Sequence, residues 1–108
     1  MMKRMHINEF HPVWDEHEQG EACCIIDVRT PEEYAGGHVP GAELMPLHAI
    51  PTKAHEIPKD RDVYLICRSG ARSAQAAQYL AQEHDHTRLV NVEGGTMAWI
   101  EAGHPVEH

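Results

Sequence analysis

The sequence has no long apolar run. Its longest strongly apolar stretch, Ala22-Cys23-Cys24-Ile25-Ile26, is the size of a strand. A spanning helix needs roughly 20 such residues, so no membrane segment is expected. No secretory leader is expected either: Lys3 and Arg4 are basic, but His6, Asn8, Glu9 and His11 occupy the place of its apolar core. Bases are scarce. Nine lysines and arginines face 17 aspartates and glutamates, for a formal charge of −8. That balance speaks against binding nucleic acid or an anionic membrane by bulk charge. Only three cysteines occur, two of them adjacent. An odd count with such spacing is no disulfide framework, and a reducing, cytoplasmic setting is the simpler expectation. Internal repeats, low-complexity tracts and linkers are also missing.

What remains is an ordinary globular composition, 42% hydrophobic and 24% charged, over 108 residues. One domain spanning 1–108 is expected. Such a chain buries about 60–70% of its unfolded surface and needs no metal or disulfide to fold.

Strand and helix signals alternate along it. A first helix is expected over 8–18, capped by Asn8, with Pro12 near its first turn. A buried strand follows at 22–28. Thr30-Pro31-Glu32-Glu33 pairs a threonine cap with proline at the first helical position and glutamate three residues after the cap. Residues 42–44 read as a small strand and Val63–Ile66 as a second buried one. The segment 72–83 is the clearest helix and Leu89–Val92 a third buried strand. A last helix runs through Met97, Trp99 and Ile100, which read as packing residues, as does Trp14. Buried strands joined through helices predict an α/β fold with a mostly parallel sheet, covered on both faces.

Chemistry concentrates at Cys67-Arg68-Ser69-Gly70-Ala71-Arg72-Ser73. Cys67 stands where a strand ends and a helix begins, the edge at which open α/β sheets bind ligands. A loop curling into a helix N-terminus directs several amides at one point and favours an anion there. Gly70 eases the curl. Arg68 and Arg72 add positive charge, and the setting predicts a thiol ionised below its ordinary range. A structural reading, Cys67 as merely the last core residue of its strand, leaves the two arginines unexplained. A Cys-x5-Arg phosphatase loop needs arginine at the sixth position after the cysteine. Here Arg72 is fifth and Ser73 sixth, so the ring is one residue short for phosphate and suits one extra sulfur atom.

The chain resembles the single-domain rhodaneses, a sulfurtransferase family. The matching pieces are Asp27-Val28-Arg29, Glu33-Tyr34, Gly37-His38-Val39-Pro40-Gly41-Ala42, Tyr64 through Ser73, and Asn91-Val92-Glu93-Gly94-Gly95-Thr96-Met97-Ala98-Trp99. The resemblance implies a five-stranded parallel sheet flanked by helices. It implies that Cys67 accepts a sulfane sulfur as a persulfide and hands it on. The donor would be a small sulfur-containing anion such as thiosulfate, met by Arg68, Ser69, Gly70, Ala71 and Arg72. The acceptor would be cyanide or a thiol. The doubly cationic loop resembles the thiosulfate-using type rather than the mercaptopyruvate type. Asp27 would support the active-site loop, Arg29 would pair with Glu33, and Ser73 would support the site. No cofactor or metal is implied. The partner could instead be a sulfur-relay protein, and the chain a monomer or weak homodimer.

Other residues have plainer readings. His38 belongs to a turn. His84-Asp85-His86 reads as a solvated helix exit rather than a metal clip, and the other histidines as solvent-facing. Cys23 and Cys24 alternate faces and read as core fillers rather than resolving thiols for Cys67. Gly94-Gly95 is either a tight strand-to-helix connection or a pocket wall. A phosphatase or arsenate reductase and an inactive regulatory domain are the remaining rivals.

Overall fold

The computed structural model describes residues 2–108. Its sheet has five strands: β1 (Lys3–His6), β2 (Cys24–Asp27), β3 (Ala42–Leu44), β4 (Val63–Ile66) and β5 (Leu89–Glu93). They lie in the order β1-β5-β4-β2-β3, and every pairing is parallel. Among the described residues four α-helices connect them, α1 (Ile7–Glu16), α2 (Pro31–Ala35), α3 (Ile50–Lys53) and α4 (Ala71–His84), and a fifth, α5 (Gly95–Glu101), follows the last strand. The expected mostly parallel α/β architecture is the observed one.

Side-chain alternation in β4 divides the core. Val63, Leu65 and then Cys67 face α3 and α4, with Ala76, Ala77 and Leu80. Tyr64 and Ile66 face the other way, onto Phe10, Trp14 and Trp99 of α1 and α5. This period of two carries past the strand end, so Cys67 leaves the sheet on the α4 side. The cysteine pair splits in the same way: Cys24 packs against the first cluster and Cys23 against the second. Cys24 is in register with Val63, four residues before Cys67. At a strand rise near 3.3 Å that is about 13 Å away, too far for a resolving thiol.

Several boundaries differ from expectation. Helix α1 begins at Ile7, because His6 is its cap. The His6 Nδ1 accepts from the Asn8 amide at 3.2 Å and Glu9 Oε1 accepts from the His6 amide at 3.3 Å. Pro12 therefore sits past the first turn. Strand β1 was not anticipated, since an exposed edge strand has no apolar face; only Met5 is half-buried. Met97 and Ile100 are exposed at 40% and 48% rather than packed. His86 is buried, with its Nε2 against the Ile57 carbonyl at 3.0 Å, and His38 is buried against Tyr34 at a ring separation of 3.6 Å. Of the two, only His86 departs from expectation, which places it in a solvated helix exit. The threonine-capped start of α2 is as expected, with the reciprocal Thr30–Glu33 bonds in place. No helix of the described residues is long and apolar enough to cross a membrane.

Trp14 ties the two ends of the molecule's second core. Its indole Nε1 donates to the Pro40 carbonyl at 2.8 Å from a fully buried ring. Trp14→Phe keeps an aromatic ring but removes the N–H-bearing half of the indole and strands that carbonyl, so denaturant unfolding should show a loss of at least about 1–3 kcal/mol. An unchanged midpoint would mean that water replaces the bond.

Candidate active site

Cys67 is the first residue beyond β4 and is 1% exposed. The chain then curls through Ser69 and Gly70 into α4. Gly70 carries the curl with φ +116°, a left-handed conformation that a side chain would strain. Its amide donates to the Cys67 Sγ at 3.0 Å. The Ser73 hydroxyl lies 3.4 Å from the same sulfur. Burial alone would raise this thiol's pKa. The Ser73 hydroxyl and the amides of Ser73, Gly70 and Ser69 outweigh it, and the net direction is down.

The two arginines sit in different surroundings. Arg72 is bound to Glu33 of α2 through a fork of two bonds, 2.7 and 2.9 Å. The pair holds the Glu33 carboxyl at about 2, chiefly through the Arg72 bonds, with the Thr30 amide helping and burial opposing. The thiol's ionisation is thus carried by hydrogen bonds, and much of the Arg72 charge is answered by a carboxylate. Arg68 is exposed, and no side-chain hydrogen bond or salt bridge engages it among the described residues. Ala71 opens α4 beside them and is exposed.

Arg29 does not pair with Glu33. It wraps back on Asp27: Nε reaches Oδ1 at 2.9 Å and Nη2 reaches Oδ2 at 2.8 Å, while Nη2 also donates to the Gly37 carbonyl at 2.9 Å. Asp27 likewise makes no bond to the Cys67 loop; its carboxylate is filled by Arg29. The reason is local. Two residues apart at a strand end, the pair closes on itself, and both groups are buried. It fastens β2 to the turn before β3.

The loop's outer side rests on α5. Thr96 and Met97 amides donate to the carbonyls of Cys67 and Arg68, at 2.9 and 3.0 Å. Gly95 permits this approach, since a Cβ there would lie 2.4 Å from the Arg68 carbonyl oxygen. Gly94-Gly95 is therefore both a tight connection and the backing of the loop. A cleft of about 360 Å³ opens beside it, lined among others by Arg68, Thr96, Met97 and Ile100.

Two residues were missed in the sequence. Glu33 was assigned to the wrong arginine, since its true partner is 39 positions away. Asn91 had no assigned role. It is buried, its Oδ1 lies 2.5 Å from the Ser73 hydroxyl, and its Nδ2 donates to the Gly70 carbonyl at 3.2 Å. Its signal is a polar residue in the middle of an apolar run, Leu89–Val92, on the same face as Leu89. No cluster of three or more metal-ligating side chains is found among the described residues, the His84-Asp85-His86 exit included.

Comparison with known proteins bears on the family and the fold. The family model described as a rhodanese-like domain matches residues 10–102. A sulfurtransferase of Allochromatium vinosum is 49% identical over 86 residues, 80% of this chain and 79% of that protein. The putative sulfur carrier protein YrkF of Bacillus subtilis is 34% identical over 82 residues, 76% of this chain and 44% of that protein. The crystal structure of a rhodanese-like domain protein from Staphylococcus aureus superposes with a TM-score of 0.76 at 37% identity, covering 91% of each chain.

Asp27→Ala leaves the Arg29 guanidinium buried without its anion. Urea unfolding should show a loss of about 3–5 kcal/mol; a loss below one would mean that Gly37 alone satisfies it.

The Arg72–Glu33 fork is about a third exposed, so screening limits it to about 0.5–1 kcal/mol. Glu33 titrates near 2 in the fold against 4.5 when free. A depressed carboxyl stabilises fully above the free value, and that stabilisation drains away as pH falls from 4.5 toward 2. Thermal melts should show Glu33→Gln destabilised at pH 6 and converging on the parent at low pH. Parallel curves across that range would remove the pair from the stability balance.

Proposed function

The chain belongs to the rhodanese-like domain family, and from that premise we propose that it is a sulfurtransferase moving a sulfane sulfur through a Cys67 persulfide. The observation that carries this is the sulfur's environment: one thiol, buried, ringed by amide and hydroxyl donors that favour its anion. The general assignment to sulfur transfer agrees with relatives named a sulfurtransferase and a sulfur carrier.

With thiosulfate as donor, the Cys67 thiolate attacks the outer sulfur. The new Sγ–Sδ bond forms as the S–S bond of the donor breaks, and its electron pair leaves with sulfite. Charge is conserved: three negative charges enter and three remain. Arg68, exposed at the cleft and unpaired, is better placed to attract the dianion than Arg72, which is tied to Glu33. The terminal persulfide sulfur carries the charge and lies within reach of the loop 68–72, whose amides serve as its donors. In the second step an acceptor, cyanide or a thiol, attacks that terminal sulfur. The Sγ–Sδ bond breaks and Cys67 is restored as a thiolate. Both steps balance with the thiol alone. Ping-pong kinetics follow. The three cysteines are free thiols, which suits the reducing cytoplasm.

One observation favours a second reading, a protein-to-protein persulfide relay. Met97 and Ile100 are exposed and line the cleft together with Arg68. Exposed apolar side chains at the mouth of a reactive site suit a protein partner better than a small anion.

Incubation with thiosulfate followed by mass spectrometry should add about 32 Da to the Cys67 peptide, one sulfur, as a covalent intermediate requires. Cys67→Ser should abolish transfer to cyanide and leave the fold intact. Transfer that survives this substitution would remove Cys67 from the chemistry. Rapid exchange with a carrier protein and negligible turnover of thiosulfate would select the relay.

A further inference from the structure

The Ser73 hydroxyl carries one proton and faces three acceptors. The Cys67 Sγ lies at 3.4 Å, the Gly70 carbonyl at 3.2 Å and the Asn91 Oδ1 at 2.5 Å. A hydroxyl donates only once, so these contacts are alternatives. Ser73 is 0% exposed and Asn91 4%, so bulk water does not compete for these bonds. Asn91 itself is oriented. Its Nδ2 donates to the Gly70 carbonyl, which also accepts from the Ala74 amide, and this turns Oδ1 toward Ser73.

The proton's choice depends on the charge at Sγ. A free Cys67 thiolate concentrates a full negative charge on Sγ and draws the hydroxyl toward it. In a persulfide the charge sits on the terminal sulfur, one bond further out. Sγ is then a neutral divalent sulfur, a weak acceptor, and the proton returns to Asn91. We propose that Ser73 and Asn91 form a one-proton switch that reads the charge on Sγ: Ser73 favours the discharged thiolate, and Asn91 favours the loaded persulfide. This inference rests on the persulfide chemistry proposed above. It assigns Ser73 a catalytic role in the second step, at the reacting sulfur, and Asn91 a positioning role behind it.

The second step shows why this matters. As cyanide forms its C–S bond to the terminal sulfur, the Sγ–Sδ bond breaks and the electron pair falls back on Sγ. Thiocyanate leaves and the thiolate remains. Negative charge therefore builds on Sγ during discharge, where the Ser73 hydroxyl meets it. During loading the same hydroxyl stabilises the attacking thiolate and so opposes its nucleophilicity. The switch acts on the two half-reactions in opposite senses.

The charged or titratable side chains on the elements packed around the loop are Arg68 on the loop itself, Arg72 with Glu33, Glu32 at the cleft, Asp27 with Arg29, Glu93 at the end of β5, and Glu83, His84 and Glu101 at the C-terminal ends of α4 and α5. Two variants leave all of them in place. Ser73→Ala removes the hydroxyl and only one heavy atom. Asn91→Leu removes the competing acceptor, while the Gly70 carbonyl keeps the Ala74 amide.

The protein is loaded with thiosulfate and discharged with cyanide in single turnovers. In parallel, alkylation of Cys67 by iodoacetamide is followed against pH on its own peptide. Ser73→Ala should discharge about tenfold more slowly, about 1.4 kcal/mol of barrier. Its loading, at a pH where the thiol is fully ionised, should not slow, and its thiol should titrate at higher pH than the parent's. Asn91→Leu should move both readouts the other way, toward faster discharge and a thiol ionised at lower pH. Discharge of Ser73→Ala at the parent rate overturns the switch. So does an Asn91→Leu variant that moves with Ser73→Ala, which would make Asn91 simple scaffolding. If the parent protein gains no sulfur at all, the persulfide reading itself fails, and that outcome is separate because it is seen before any variant is compared.

Discussion

A peptide plane points its N–H and its C=O in opposite directions. A loop that turns amides inward on one sulfur must therefore find partners for the carbonyls it turns outward. Here those partners are specific. Thr96 and Met97 take the carbonyls of Cys67 and Arg68, and the Gly70 carbonyl is taken by Ala74 and Asn91. Anchoring the Arg68 carbonyl outward is what faces the Ser69 amide toward the thiol, where it helps hold the pKa down. The N-terminal turn of α5 is as much a part of the site as the loop is. Gly95 makes that contact possible, because any Cβ would enter the Arg68 carbonyl.

This arrangement explains why the arginines matter less to the thiol than their proximity suggests. Hydrogen bonds to Sγ are short-ranged and fixed, and they act where water is excluded. Arg72 instead spans from α4 to α2 and locks the loop's helix to the capped turn at Thr30. The same Glu33 that completes the capping box receives Arg72, so one carboxylate joins a local motif to a distant one. Arg68 lies exposed, with no side-chain partner among the described residues.

The parts of the fold legible in the sequence were those set by local chemistry. Thr30-Pro31-Glu32-Glu33 announces its own helix start, β4 announces itself by four buried residues, and the Cys67 loop by glycine, serine and the helix that follows. The resemblance supplied the five-stranded count, not the residues of β1, whose edge position leaves no alternation to read. Pairings were harder. Arg29 has three carboxylates within four residues, Asp27, Glu32 and Glu33, and only the strand geometry decides for Asp27. Glu33 and Arg72 meet through tertiary structure alone. Asn91 was visible as an anomaly, a polar residue in a buried strand, and its meaning required the register that places it beside Leu65, two residues before the thiol. Met97 and Ile100 misled because an apolar helical face reads as core whether or not anything covers it.

Burial of Cys67 also bears on which atom reacts. A residue 1% exposed at the base of a closed loop offers little room for a bulky electrophile. An added sulfur extends the side chain by about 2.05 Å, the length of an S–S bond. On the proposed chemistry this carries the reactive atom outward, while Sγ stays behind among its donors. The two sulfurs then occupy different environments: the outer one within reach of loop amides and the cleft, the inner one against the Gly70 amide and the Ser73 hydroxyl, with Asn91 behind Ser73. A phosphoryl group would need three oxygens satisfied in the same space, in a loop one residue shorter than a Cys-x5-Arg ring. On the proposed chemistry the short loop favours a guest of one atom, and the division of labour between outer and inner donors would let that single atom be held in one step and released in the next.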